Sequence, residues 1–159
     1  MICCVTGHRP EGFPFLRGEG SFLYEEYKKQ LSQEIAMLID AGYDYFVSGM
    51  AEGADTDFAS AVVDFRDDLK MDIVLEGCLP YPIDPCKMSQ ERRDALEKCD
   101  CKKTVSAHYF RGCMQKRNCY MVDKSELVLA IWNGKEQGGT WNTIRYARAR
   151  GKSIRYIML

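Results

Sequence analysis

The chain has 159 residues, and 46% of them are hydrophobic, which suits one domain with a core on both sides of a sheet. The formal net charge of −1 argues neither for nor against nucleic acid, and the sequence has no run of about 18 apolar residues that would cross a membrane. Residues 111–159 carry ten Lys or Arg against three Asp or Glu, and this local excess is typical of either an anionic ligand or a solvated cationic face.

Strands and helices are predicted to alternate along the whole chain. Short apolar runs bounded by breakers predict strands, in chain order, at residues 2–6, 43–47, 72–79, 103–108, 127–132 and 153–158. Apolar residues at helical spacing predict helices between them at residues 22–39, 54–69, 89–99, 113–124 and 140–150. This alternation is typical of right-handed βαβ crossovers. We therefore expect residues 1–159 to form a single Rossmann-like, doubly wound α/β domain, with a mostly parallel sheet of five to six strands and helices on both faces.

The eight cysteines do not form a pattern that suggests disulfides or zinc. A strand begins at Ile2 with no charged and apolar leader before it, so the sequence predicts a cytoplasmic protein with reduced thiols. Cys99 and Cys101 form a C-x-C pair, which differs from the C-x-x-C pairs of zinc sites. No metal and no required cofactor are expected.

Loops that leave the carboxyl ends of the strands are the places where such sheets bind ligands. After the first strand, Gly7 permits close backbone approach, and His8 and Arg9 follow it. The fingerprint G-x-G-x-x-G is absent there, which excludes a standard NAD-dehydrogenase site. An Arg in this turn suits a phosphate or a carboxylate, although a surface Arg after a Gly turn is also common.

Two further strand-to-helix turns are rich in glycine. After the second strand, Gly49 and Gly53 bracket a tight turn, and Asp55 falls where the next helix begins, either beside an anion or as a cap of that helix. After the fifth strand, the next helix opens with three residues that suit an oxyanion, Gly138, Gly139 and Thr140.

Arg117 and Asn118 stand in the helix before the fifth strand. An Arg with an adjacent amide suits a phosphate or a ribose, although such a pair is also ordinary on a surface. Because these turns and this pair all belong to one end of the predicted sheet, we expect them to form one ligand site.

Several blocks of the sequence resemble those of one superfamily. They are Val5 to Pro10, Ser48 to Asp55, Arg117 to Asp123, and Gly138 to Thr140 followed by Tyr146-Ala147 and Gly151-Lys152. On these blocks the chain resembles the SLOG superfamily, which takes in DprA (Smf), the lonely-guy phosphoribohydrolases and small bacterial proteins of the YpsA/YoqJ type. The resemblance is closest to the last group.

The resemblance implies a Rossmann-like fold that binds a nucleotide or a nucleotide-derived ligand, such as ADP-ribose or a sugar phosphate. Carried over position by position, it implies that the ligand meets Gly7, Arg9, Gly49, Gly53, Arg117, Asn118, Gly139 and Thr140. The chain departs from the lonely-guy pattern P-G-G-x-G-T-x-x-E, since the helix after Gly139 has no Glu at the catalytic position. Nothing in the sequence matches the additional domains of DprA.

Two hypotheses follow for a site that binds a small molecule. The first is a module that binds or senses a nucleotide-like small molecule without turning it over. The alternative is an enzyme that hydrolyses or transfers at an N-glycosidic bond, which needs a carboxylate near the anomeric carbon. Glu52 is the candidate catalytic residue, with Asp123 and Glu136 in reserve.

A third hypothesis is a nucleic-acid partner, with a basic C-terminal segment as its binding surface: Arg145, Arg148, Arg150, Lys152 and Arg155. Helical spacing favours a solvated cationic face for these residues instead. Trp132 and Trp141 suit either base stacking or the core.

A flank rich in aromatic residues is expected to be exposed and is compatible with a homo-oligomer: Phe13, Phe15, Phe22 and Tyr24.

Overall fold

A computed structural model describes residues 1–159 and contains one six-stranded sheet in which all neighbouring strands are parallel. The strands are β1 (Ile2–Gly7), β2 (Tyr45–Ser48), β3 (Val74–Leu79), β4 (Cys101–Thr104), β5 (Leu127–Trp132) and β6 (Ser153–Met158). Their order across the sheet is β4-β3-β2-β1-β5-β6. The chain therefore moves outward from β1 to β4, then returns to β5 on the other side of β1. The switch in strand order lies between β1 and β5.

Five helices connect these strands and cover both faces of the sheet. They are α1 (Phe22–Asp40), α2 (Ala54–Asp67), α3 (Gln90–Glu97), α4 (Cys113–Lys124) and α5 (Gly138–Ala149). A core cluster of 24 buried residues joins α1, α2 and α3 to one face, and a cluster of seven joins α4 and α5 to the other. Alternating side chains of β1 serve both faces, since Cys3 belongs to the larger cluster and Cys4 to the smaller. The predicted α/β, doubly wound fold is confirmed.

Helix starts follow from local side-chain chemistry. Ser21 caps α1 by accepting from the N–H of Tyr24 at 3.4 Å, and Ser89 caps α3 by accepting from the N–H of Arg92 at 3.2 Å.

No helix is both long enough and apolar enough to cross a membrane.

The fourth strand differs from the prediction. It was expected at residues 103–108 and spans Cys101–Thr104 instead. Because β4 is an edge strand whose only neighbour is β3, three of its four residues are exposed, and its sequence carries no apolar run. The second strand also begins two residues later than expected, and α5 begins two residues earlier, at Gly138.

The prediction of an exposed aromatic flank is wrong for most of its members. Phe13 is only 8% exposed and contacts Phe15 and Tyr27 edge to face, with ring centroids 5.6 and 5.3 Å apart. The hydroxyl of Tyr24 donates to Asp57 at 2.8 Å. Only Phe22, at 74%, is largely exposed. The other rings pack between the β1–α1 loop and α1, where they bury apolar surface.

Candidate functional site

A polar cleft of about 290 Å³ opens at the carboxyl ends of the central strands. Eight of the eleven predicted ligand-binding residues line it: Gly7, His8, Arg9, Asp55, Arg117, Asn118, Gly139 and Thr140. The cleft lies at the switch in strand order, the position where doubly wound sheets generally bind ligands. The expected convergence of the separate turns is therefore present.

Three predicted residues do not line the cleft: Gly49, Gly53 and Gly138. Gly49 and Gly53 instead allow the turn between β2 and α2 to lie close to the cleft residues. A Cβ on Gly49 would stand 2.7 Å from Oδ2 of Asp55 and would also overlap the guanidinium of Arg117. Gly53 has φ of +102°, and a Cβ there would stand 2.5 Å from the backbone oxygen of His8. Both positions therefore need glycine so that the turn can approach the cleft residues closely.

Arg117 is the cation at the floor of the cleft and is only 6% exposed. Its Nη1 donates to the backbone oxygens of Gly49 and Cys78, the latter at 3.2 Å, and its Nε donates to Oδ1 of Asn118 at 2.8 Å. Burial lowers its pKa from the usual arginine value, and the nearby Asp55 counteracts that shift. Its Nη2 makes no hydrogen bond within the chain. The guanidinium is thus fixed by two strand-end carbonyls and keeps donors for an anion.

The first turn of α5 closes the cleft from the β5 side. Thr140 donates from Oγ1 to the backbone oxygen of Gly7 at 2.9 Å, which ties the start of α5 to the end of β1. The N-cap residue Gln137 makes no side-chain cap, so the first N–H groups of the helix lack that partner. A Cβ on Gly139 would meet no atom within 4 Å, so this position faces open space. Such a helix start, open to a cleft, favours an anionic group.

Asp55 adds a carboxyl group to the same cleft. Burial raises its pKa above the usual aspartate value, while Arg117 and the N–H of Ala51 act in the opposite direction. Oδ2 accepts from the N–H of Ala51 at 3.2 Å, and Oδ1 accepts no hydrogen bond within the chain. Of the two alternatives for Asp55, the cap of its own helix is wrong, because the N-cap is Gly53 and the carboxylate bonds to a residue before the helix.

The three candidate catalytic carboxylates do not share this environment. Glu52 is exposed, lies outside the first cleft and accepts from the N–H of Ser89 at 3.4 Å. Asp123 accepts from Tyr146 at 2.9 Å and forms an ion pair with Arg150 at 2.9 Å, away from the cleft. Glu136 is exposed and lies outside the cleft lining.

A second cleft of about 590 Å³ continues from the first. The two clefts share the lining residues Arg9, Glu11, Ala51, Met114 and Arg117. The second is also lined by Glu52, Lys87 and Arg92, of which only Glu52 was predicted as a site residue. Arg92 escaped the sequence analysis because no motif surrounds it.

His8 borders the first cleft with an imidazole that lacks a full set of partners. Burial lowers the pKa of His8 below the usual histidine value, which favours the neutral ring. Its Nε2 is buried and has no hydrogen-bond partner in the chain. One ring nitrogen of His8 is therefore left without a partner beside the cleft.

The basic residues of the C-terminal segment are mostly held by the protein itself. Arg150 pairs with Asp123, and Arg155 pairs with Glu34 at 2.8 Å. Lys152 donates to the backbone oxygen of Ser125 at 2.7 Å. The rings of Trp132 and Trp141 stack on one another, with centroids 5.4 Å apart and planes 9° apart. These contacts give most of the basic residues, and both indole rings, partners within the protein itself.

No three His, Cys, Asp or Glu side chains are grouped so that they could hold a metal ion, and all eight cysteines are free thiols. Searches against protein-family models and against curated proteins find no match to this chain.

Proposed function

We propose that the protein binds a nucleotide or a nucleotide-derived small molecule, such as ADP-ribose or a sugar phosphate, in the cleft between β1 and β5. The observation that carries this proposal is the buried Arg117, whose Nη2 is left without a partner in a cleft that the open start of α5 also borders. A guanidinium and helical N–H groups facing one small volume suit a phosphate. Asn118 and His8 also line this cleft, and amide and imidazole groups suit a sugar hydroxyl.

Gly139→Asp tests this proposal without disturbing the fold. The position faces open space, and an acidic residue in the first turn of a helix is favourable, so the variant is expected to fold. Its carboxylate would occupy the cleft and repel an anion. In thermal shift with AMP, ADP-ribose and ribose 5-phosphate, a ligand at 100 times its Kd stabilises the wild type by about 2.7 kcal/mol, and Gly139→Asp loses that gain.

Asn142→Asp is the matched control, since it adds the same charge to an exposed position of α5 outside both clefts. This variant is expected to keep the full ligand-induced shift. If none of the three compounds raises the melting temperature of the wild type, or if Gly139→Asp responds like the control, the proposal is wrong.

A second candidate function is hydrolysis or transfer at an N-glycosidic bond, and the buried Asp55 favours it. A carboxyl group whose pKa is raised by burial holds its proton longer than an exposed one and suits the role of general acid toward a leaving base. Asp55 meets this description better than Glu52, which is exposed.

Free base released from nucleoside monophosphates measures this activity, and Asp55→Asn and Glu52→Gln form a pair of isosteric variants. If Asp55 is the acid, Asp55→Asn slows release by about 10²- to 10⁴-fold and Glu52→Gln retains it. The reverse pattern assigns the role to Glu52. If the wild type releases no free base from any nucleotide tried, the hydrolytic reaction is excluded.

A further inference from the structure

The lining of the second cleft carries an excess of positive charge. Its lining includes four cationic side chains and two carboxylates: Arg9, Lys87, Arg92, Arg117, Glu11 and Glu52. None of the four cations forms an ion pair with a carboxylate of the chain. Elsewhere the protein does pair its partly buried arginines, as Arg17 shows with Asp57 at 2.6 Å. Arg9 and Lys87 are exposed, as are many unpaired cations elsewhere, so the half-buried Arg92 is the unpaired cation that needs an explanation.

Arg92 is the least satisfied of these side chains. Its Nε is buried without a hydrogen-bond partner, and its guanidinium makes no hydrogen bond within the chain. Burial lowers the pKa of Arg92, and the like charges of Arg117 and Arg9 lower it further, against the opposing effect of Glu52. A half-buried, unpartnered cation beside other cations destabilises the unliganded protein, and such groups concentrate at binding sites.

The two clefts form one continuous trough. Arg9 and Arg117 line both of them, so a ligand that contacts Arg117 from the first cleft is already at the border of the second. Arg92 and Lys87 line the second cleft and not the first, so a phosphate held entirely within the first cleft does not contact them. A second phosphate on the same ligand, lying in the second cleft, would have both cations in the lining around it and would reduce the repulsion among the arginines.

We propose that the ligand carries a diphosphate and that Arg92 and Lys87 bind its second phosphate. The ligand class is then a nucleoside diphosphate or a diphosphate-linked nucleotide, in preference to a nucleoside monophosphate. This inference rests on the proposed function of the first cleft and specifies the chemistry of the molecule bound there.

Isothermal titration calorimetry of the full chain with AMP, ADP and inorganic pyrophosphate tests this proposal. The wild type is expected to bind ADP about tenfold more tightly than AMP, or better, since a hydrogen bond to a charged group is worth that factor. Arg92→Gln is expected to reduce the affinity for ADP to that for AMP. Because the wild-type side chain makes no hydrogen bond within the chain, the unliganded variant should melt no lower than the wild type.

Lys98→Gln is the matched control, because it removes one exposed cation next to the end of α3 and outside the cleft. It should leave the preference for ADP intact. Equal affinities for AMP and ADP, or an unchanged ADP affinity in Arg92→Gln, would overturn the second phosphate site and leave the proposed function standing. Binding of neither nucleotide would overturn both. Pyrophosphate binding as tight as that of ADP would show that the nucleoside is not recognised.

Discussion

At the scale of single residues, the ionisation of Asp55 links the cleft to the stability of the fold. Its pKa is raised in the native protein by burial, so on raising the pH the unfolded chain loses this proton first. The stability that the group contributes is complete below the usual aspartate pKa of about 4 and is lost as the pH rises through the elevated native value.

Asp55→Asn removes this titration and keeps an oxygen that can accept from the N–H of Ala51. We expect the variant to become more stable relative to the wild type as the pH rises from about 3.5 to about 7, so that its free energy of unfolding increases relative to that of the wild type. Urea denaturation at both pH values measures the change. Asp72→Asn, at an exposed position, shows what removal of a surface carboxylate does. A difference between Asp55→Asn and wild type that is the same at both pH values would contradict the raised pKa.

Two arginines show which residues of the site the sequence predicts and which it does not. Arg117 was expected at the site because it stands next to an amide and within a block of superfamily resemblance, and it lies at the floor of the cleft. Arg92 stands among charged residues of a short helix, where nothing in the sequence separates it from its neighbour Arg93. Only the structure separates them: Arg93 bonds to the backbone oxygen of Met88 at 2.6 Å, while Arg92 lines the cleft.

At the scale of elements, the turn between β2 and α2 depends on a backbone shape that side chains disfavour. Gly53 adopts φ of +102° at the N-cap of α2, and the next residue, Ala54, donates its N–H to the backbone oxygen of His8 at 3.0 Å. The helix start is thereby fixed against the β1 loop, which carries His8 and Arg9 into the cleft.

Gly53→Ala is expected to destabilise the protein by two separate effects. The backbone at φ of +102° and ψ of −126° costs about 1–3 kcal/mol for a residue with a Cβ, and the contact of that Cβ with the oxygen of His8 forces the two segments apart. Gly151→Ala is the control for a positive φ without such a contact, because Gly151 has φ of +66° and a Cβ there meets no atom within 4 Å. In urea denaturation Gly53→Ala should lose clearly more stability than Gly151→Ala. Equal losses would show that the contact with the β1 loop is unimportant.

The elements themselves were predictable where burial imposes a pattern. β1 and β5 lie at the centre of the sheet and are apolar along nearly their whole length, so their positions followed from the sequence to within one residue. β4 lies at the edge, with Lys102, Lys103 and Thr104 exposed, and hydrogen bonding to β3 decides where it begins. The periodicity of the sequence does not show which strands are paired, so it could not predict the bounds of β4.

At the scale of the whole molecule, the order of the strands creates the site. Alternation of strands and helices predicted a parallel sheet, but it did not predict which strands are neighbours. The observed order places β5 beside β1, and this places Gly7, Gly139 and Thr140 around one opening. The convergence therefore depends on long-range packing, although each turn is local in the sequence.

The same strand order has a consequence for synthesis on the ribosome. β1 is made first, yet one of its two hydrogen-bonded neighbours is β5, which begins at Leu127. Until that segment emerges, one edge of the first strand has no partner, while the half of the sheet from β1 to β4 can already assemble. The opening that would receive the ligand is completed only when α5 follows, so a nascent chain acquires this pocket later than the half of the sheet from β1 to β4.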